Sequence, residues 1–132
     1  MDNIKFTIPG KPEYLTMVRL AIASIANTAG FDYDSIEDIK TAVEEGCKNV
    51  SCHGFEGYSD RYKLECNIEQ GKIEVIIKDD CDTHTLEKIA KPCQNCPREG
   101  DIGIYVIQTI MDEVEFGKEE DGHKKIRMVK NI

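Results

Sequence analysis

A chain of 132 residues is the size of one domain, and with 40% hydrophobic and 32% charged residues it holds enough apolar material for a core and is not a disordered chain. Its 17 Lys and Arg against 25 Asp and Glu leave a formal net charge of -8, which repels nucleic-acid phosphates and anionic membrane surfaces and argues against direct nucleic-acid binding. No stretch approaches the roughly 20 apolar residues of a membrane span, and Met1-Asp2-Asn3 lacks the basic start of a secretory signal, so the expected location is cytoplasmic.

The segment Asn3 to Ile8 alternates polar and apolar residues, as a strand with one buried face does, and Pro9-Gly10 ends it. Pro12 fits the first turn of a helix whose stripe is Leu15, Val18, Ile22, Ile25, Ala26 and Ala29, closed by Gly30. Tyr14, Met17, Ala21 and Ser24 lie off that stripe; they suit a second buried contact within the domain, or else a partner surface. Asp34 and Glu37 have capping-box spacing and open a second helix with the stripe Ile36, Ile39, Val43, Gly46, Cys47 and Val50.

Tyr62, Leu64, Cys66 and Ile68 alternate with polar residues, Gln70-Gly71 supplies a turn, and Ile73, Val75 and Ile77 alternate again, which predicts a hairpin. A short helix fits Asp82 to Ala90, and Pro92 and Pro97 make residues 91–100 a mobile loop. Ile102 to Met111 is apolar on nearly every side and suits a helix buried against a sheet. Strands Glu113 to Lys118 and His123 to Lys130 close the chain. This order predicts one domain over residues 1–132, an α+β two-layer sandwich with a mostly antiparallel mixed sheet and helices packed on one face.

Three features can carry chemistry. Glu45 and Asn49 are four residues apart, on one helix face that borders the core stripe, and His53 continues the line. A carboxylate and an amide looking into a pocket can supply a base and a ligand for a hard cation, whereas an ordinary helical Glu is simply solvated. Asp79 ends a strand, where a carboxylate either marks a turn or accepts a hydrogen bond from a nucleobase amine. In Glu99-Gly100-Asp101-Ile102-Gly103, the glycines let backbone N–H groups approach a phosphate at a helix start; the plain alternative is a turn with Asp101 as N-cap.

In this order, Glu45-Gly46-Cys47-Lys48-Asn49 with His53, Asp79, Gly100-Asp101-Ile102-Gly103 and Met111-Asp112-Glu113-Val114 resemble the ATP-binding boxes of the GHKL (histidine-kinase-like) ATPase family, as used by bacterial anti-sigma factors that are also serine-protein kinases. The resemblance extends over nearly the whole chain and includes Pro12-Glu13-Tyr14, Arg19-Leu20 and Ile36-Glu37-Asp38-Ile39-Lys40. It implies ATP with Mg²⁺ as cofactors, Asn49 as the residue holding the metal, and Glu45 as the catalytic base toward a partner's serine. It also implies Asp79 as the adenine reader, Gly100 and Gly103 at the phosphates under a lid at about 91–100, and Arg19 in contacts to protein partners. Those partners would be a sigma factor and an anti-anti-sigma protein, with a homodimer common in the family.

The chain departs from the family's pattern at Cys81, where glycine is usual, at His123 after Gly122, where threonine is usual, and at Asp101. A second reading is therefore a nucleotide-independent protein-binding module on the same scaffold, or a metal- or redox-sensing adaptor. Cys81 with His84, and Cys93 with Cys96, flank the expected lid in pairs that suit a tetrahedral zinc site; a Cys93–Cys96 disulfide and unrelated thiols are the alternatives. Cys47, Cys52 and Cys66 suit small core or helix-face positions.

Overall fold

A computed structural model describes residues 1–51, 61–79, 102–118 and 123–132. Strand β1 (Asp2–Pro9) leads through a 3-10 turn (Pro12–Tyr14) into helix α1 (Leu15–Thr28) and then α2 (Tyr33–Ser51). Strands β2 (Arg61–Glu69) and β3 (Lys72–Asp79), helix α3 (Ile102–Ile110) and strands β4 (Glu113–Lys118) and β5 (Lys124–Asn131) follow. The five strands form one sheet in the order β1-β2-β3-β5-β4, and every pairing among them is antiparallel. The expected α+β sandwich is therefore present, with no parallel pair among the described strands.

Period-2 alternation sorts each strand into two faces. Tyr62, Leu64, Cys66 and Ile68 on β2, Ile73, Val75 and Ile77 on β3, and Ile126 and Met128 on β5 are buried in the same core as the helices. α2 crosses this face, with α1 and α3 packed on either side of it. The helices contribute Val18, Ile22, Ile39, Val43 and Ile107, and fully burying each such side chain is worth about 1.5–3 kcal/mol. The opposite face is polar and continuous: Asn3 donates to Glu65 and Asn67, Asn67 donates to Glu74 at 2.8 Å, and Arg127 Nε donates to Glu74 at 2.6 Å.

Several expectations change in detail. α2 is capped not by Asp34 but by Asp32, whose Oδ1 accepts from the Ser35 N–H at 2.9 Å. That hydrogen bond holds the Asp32 carboxyl below its ordinary value. The off-stripe face of α1 is not a second buried contact: Tyr14, Met17 and Ser24 are exposed and Ala21 is half-buried. α3 buries Ile104 and Ile107 but leaves Tyr105 exposed, so it is less enclosed than its composition suggests. The expected helix at 82–90 and the loop at 91–100 lie outside the described residues.

One end of the sandwich is stitched by backbone bonds. Gly71 turns β2 into β3 at φ +77, its N–H donates to Ala29 at 3.0 Å, and its carbonyl accepts from Ile132 at 2.9 Å. The other end holds Asn49 and Asp79.

Candidate functional site

α2 is seated deeply because Gly46 has no side chain: a Cβ there would stand 2.7 Å from Ile77 Cδ1. One helical position before this contact is Glu45, and three positions after it is Asn49. Helical spacing of four puts these two side chains on one face, about one turn apart.

Glu45 keeps 30% of its side chain exposed, and its Oε1 lies 3.7 Å from Lys48 Nζ. Its other oxygen, Oε2, faces α3 at Gly103, where a Cβ would come within 2.8 Å of it. Glycine at 103 lets that carboxylate sit beside the first turn of α3, where a larger residue would make it shift. Asn49 is only 7% exposed, at the wall of a cavity of about 150 Å³ also lined by Ile104, Phe116, Lys124 and Ile126. Asp79 ends β3 with no exposed surface, a placement a carboxylate tolerates only among polar or charged neighbours.

The structure therefore brings together Glu45, Asn49 and Gly103, and sets Asp79 at the same end of the sheet. Arg19 lies apart on α1, 46% exposed and 3.7 Å from Glu44. Gly100, Cys81, His84, Cys93 and Cys96, with Asp101, Gly122, His53 and Cys52, lie outside the described residues, so the proposed zinc site and the lid are not described. Among the described residues no group of three or more His, Cys, Asp or Glu side chains is placed to hold a metal ion.

Sequence reasoning missed Lys124. Its side chain is 8% exposed and its Nζ donates to the Asn49 carbonyl at 3.3 Å. The signal was strand parity: Ile126 and Met128 face the core, so the residue two before Ile126 faces inward as well. A lysine by its type is ordinarily solvated.

Two thiols fall in the core as expected. Burial pushes Cys47 and Cys66 up to about 12, and it also raises the Tyr62 phenol that neighbours Cys47. Neither thiol is a nucleophile near neutral pH.

A model of the histidine kinase-like ATPase domain matches residues 8–130. The serine-protein kinase RsbW of Bacillus thuringiensis is 31% identical over 128 residues, a match that covers 90% of this chain and 79% of that protein. The serine-protein kinase RsbW of Halalkalibacterium halodurans is 35% identical over 130 residues, covering 92% and 78%. Among solved structures, a chain of the SiaB-SiaC complex from Pseudomonas aeruginosa superposes with a TM-score of 0.68 over 96% of this chain and 88% of that one; at 12% identity it bears on the fold alone. No described helix is long and apolar enough to cross a membrane.

Proposed function

The chain belongs to the histidine kinase-like ATPase domain family, and from that membership we propose that it is an anti-sigma regulator that phosphorylates a serine of an anti-anti-sigma protein with ATP. The observation that carries this reading is the Glu45 carboxylate held against Gly103 at the start of α3, with Asn49 one turn further along α2. A carboxylate base, an amide oxygen for a hard cation and helix N–H groups for a phosphate suit the positioning and charge neutralisation that phosphoryl transfer uses.

The residues present fit the nucleotide. The absence of a side chain at Gly103 leaves a cradle that any Cβ would fill, and Asn49 offers a hard oxygen ligand at the cavity wall. Asn49 would hold Mg²⁺, Asp79 would accept from the base's amine, and the backbone at Gly103 would face the phosphates. Bound Mg-ATP supplies the γ-phosphoryl group and the neutralising cation.

The chain supplies positioning and one base. Glu45 takes the proton from the partner's serine hydroxyl as its oxygen attacks. Lys48 pairs with Oε1 and leaves Oε2 as the proton acceptor on the side of α3. α2 keeps the base and the metal ligand one turn apart by its own geometry, and its close approach at Gly46 seats both against the sheet. Arg19, with exposed Met17 and Leu20 on the same helix, forms the contact surface for protein partners, the sigma factor included.

The test is transfer of labelled phosphate from Mg-ATP to the serine of a purified anti-anti-sigma protein, with calorimetry of nucleotide binding in parallel. Glu45→Ala is expected to abolish transfer while nucleotide affinity stays within about threefold of the parent chain. No heat of nucleotide binding to the parent chain would leave only a protein-binding scaffold, and full transfer by the variant would remove Glu45 as the base.

A further inference from the structure

Four charged side chains stand in line across the seam between α1 and α2. Arg19 Nε on α1 lies 3.7 Å from Glu44 Oε2, Glu44 Oε1 lies 3.7 Å from Lys48 Nζ, and Lys48 Nζ lies 3.7 Å from Glu45 Oε1. The signs alternate from the arginine of the partner surface to the carboxylate of the pocket. Helix spacing builds the inner half, because Lys48 follows Glu44 by four positions and Glu45 by three, so one ammonium stands beside both carboxylates. On its other side Glu45 meets α3, whose residues Ile102–Ile110 include no charged one. Among the described residues, Lys48 is the cation that pairs with Glu45.

We propose that Glu44 and Lys48 are positioning residues that tie Arg19 to Glu45, so that a carboxylate of a docked protein held by Arg19 steadies the base at the far end of the line. The proposal rests on the kinase reading of the site. Lys48 is 51% exposed on a flexible four-carbon stem, and alone it would hold Glu45 Oε1 through a wide range of rotamers. Glu44, the least exposed of the four at 26%, narrows that range. Arg19 holds Glu44 through Nε, on one edge of a planar guanidinium whose second edge, formed by the two Nη groups, suits a carboxylate bidentately. A docked acid that fixes the guanidinium plane therefore fixes Glu44, and through Lys48 it keeps Glu45 Oε2 turned toward α3 as the serine arrives. Pairs this exposed are individually weak, so the effect is a severalfold change in rate and not a loss of the fold.

Steady-state transfer to the purified anti-anti-sigma protein separates this line from simple docking. Arg19→Met is expected to raise KM for that protein and also to lower kcat about threefold to fivefold. Glu44→Gln is expected to lower kcat by about the same factor with KM within about twofold of the parent, and the double variant to show kcat no lower than Glu44→Gln alone. Unchanged kcat for Glu44→Gln, or kcat losses that multiply in the double variant, would overturn the line. A readout without nucleotide is the carboxyl-carbon NMR signal of Glu45 at neutral pH, which Arg19→Met is expected to move in the parent chain but not in a Glu44→Gln background. A signal that Arg19→Met leaves in place, or moves equally in both backgrounds, would likewise overturn it. If the parent transfers no phosphate, the kinase reading fails by itself, and the NMR comparison still decides whether the two ends of the line are coupled.

Discussion

Gly46→Ala probes how tightly α2 is seated. The added methyl would stand 2.7 Å from Ile77 Cδ1 and 3.0 Å from Met128 Cε. Carbon atoms prefer about 3.5–4.0 Å, so the helix must lift or the two side chains must turn aside. Such overpacking costs about 1–3 kcal/mol. Against it stands the helix-propensity gain of alanine over glycine, about 1 kcal/mol. The net expectation is a destabilisation of about 0–2 kcal/mol. Ile77→Val removes the atom in closest conflict and by itself costs about 0.5–1.5 kcal/mol. In the double variant the clash is relieved, so the combined loss is expected to fall short of the sum by about 1 kcal/mol. Urea unfolding followed by far-ultraviolet circular dichroism reads all four chains, with unchanged slope confirming that the same surface is exposed. A stabilised Gly46→Ala chain, or additivity within about 0.3 kcal/mol, would refute the close seating of the helix.

Two further predictions follow from named contacts. Gly103→Ala is expected to leave the melting temperature unchanged or slightly raised, since Gly103 has no positive φ, while phosphoryl transfer falls about tenfold or more because Glu45 Oε2 must give way; unchanged transfer would separate Gly103 from the base. The Glu74 carboxyl is held below its ordinary value of 4.5, first by the hydrogen bond from Asn67 and then by Arg127. Its stabilising contribution is therefore complete above 4.5 and is lost as pH falls through the lowered folded value, so acid titration of stability should be flatter below 4.5 for Glu74→Gln than for the parent.

The elements whose burial alternates or repeats cleanly were legible in the sequence. β2 and β3 show their period-2 pattern from Tyr62 to Ile77, and the stripe of α2 from Ile39 to Val50 is buried as its spacing predicts. Glu45, Asn49 and Gly103 stood out by motif, and helix geometry alone put the first two on one face. The parts that escaped depended on tertiary choice. Asp32 and Asp34 are both capping residues by type, and which one caps is decided by where the chain enters α2, not by local preference. Tyr14, Met17 and Leu20 are apolar enough for a core, yet no described element covers them. Lys124 was hidden because a lysine is assumed to be solvated, and only its inward parity on β5 contradicts that assumption.

With the proposed function, the two ends of the sandwich are expected to divide the consequences of mutation between abundance and turnover. At the stitched end, where Ala29, Gly71 and Ile132 share backbone bonds, a substitution alters the fraction of chains that stay folded and escape proteolysis in the cell. At the opposite end, where Glu45, Asn49 and Lys124 gather, the proposed function predicts substitutions that leave protein levels intact and silence the molecule. A genetic screen that scored steady-state amount beside signalling output would sort residues along the strand axis accordingly.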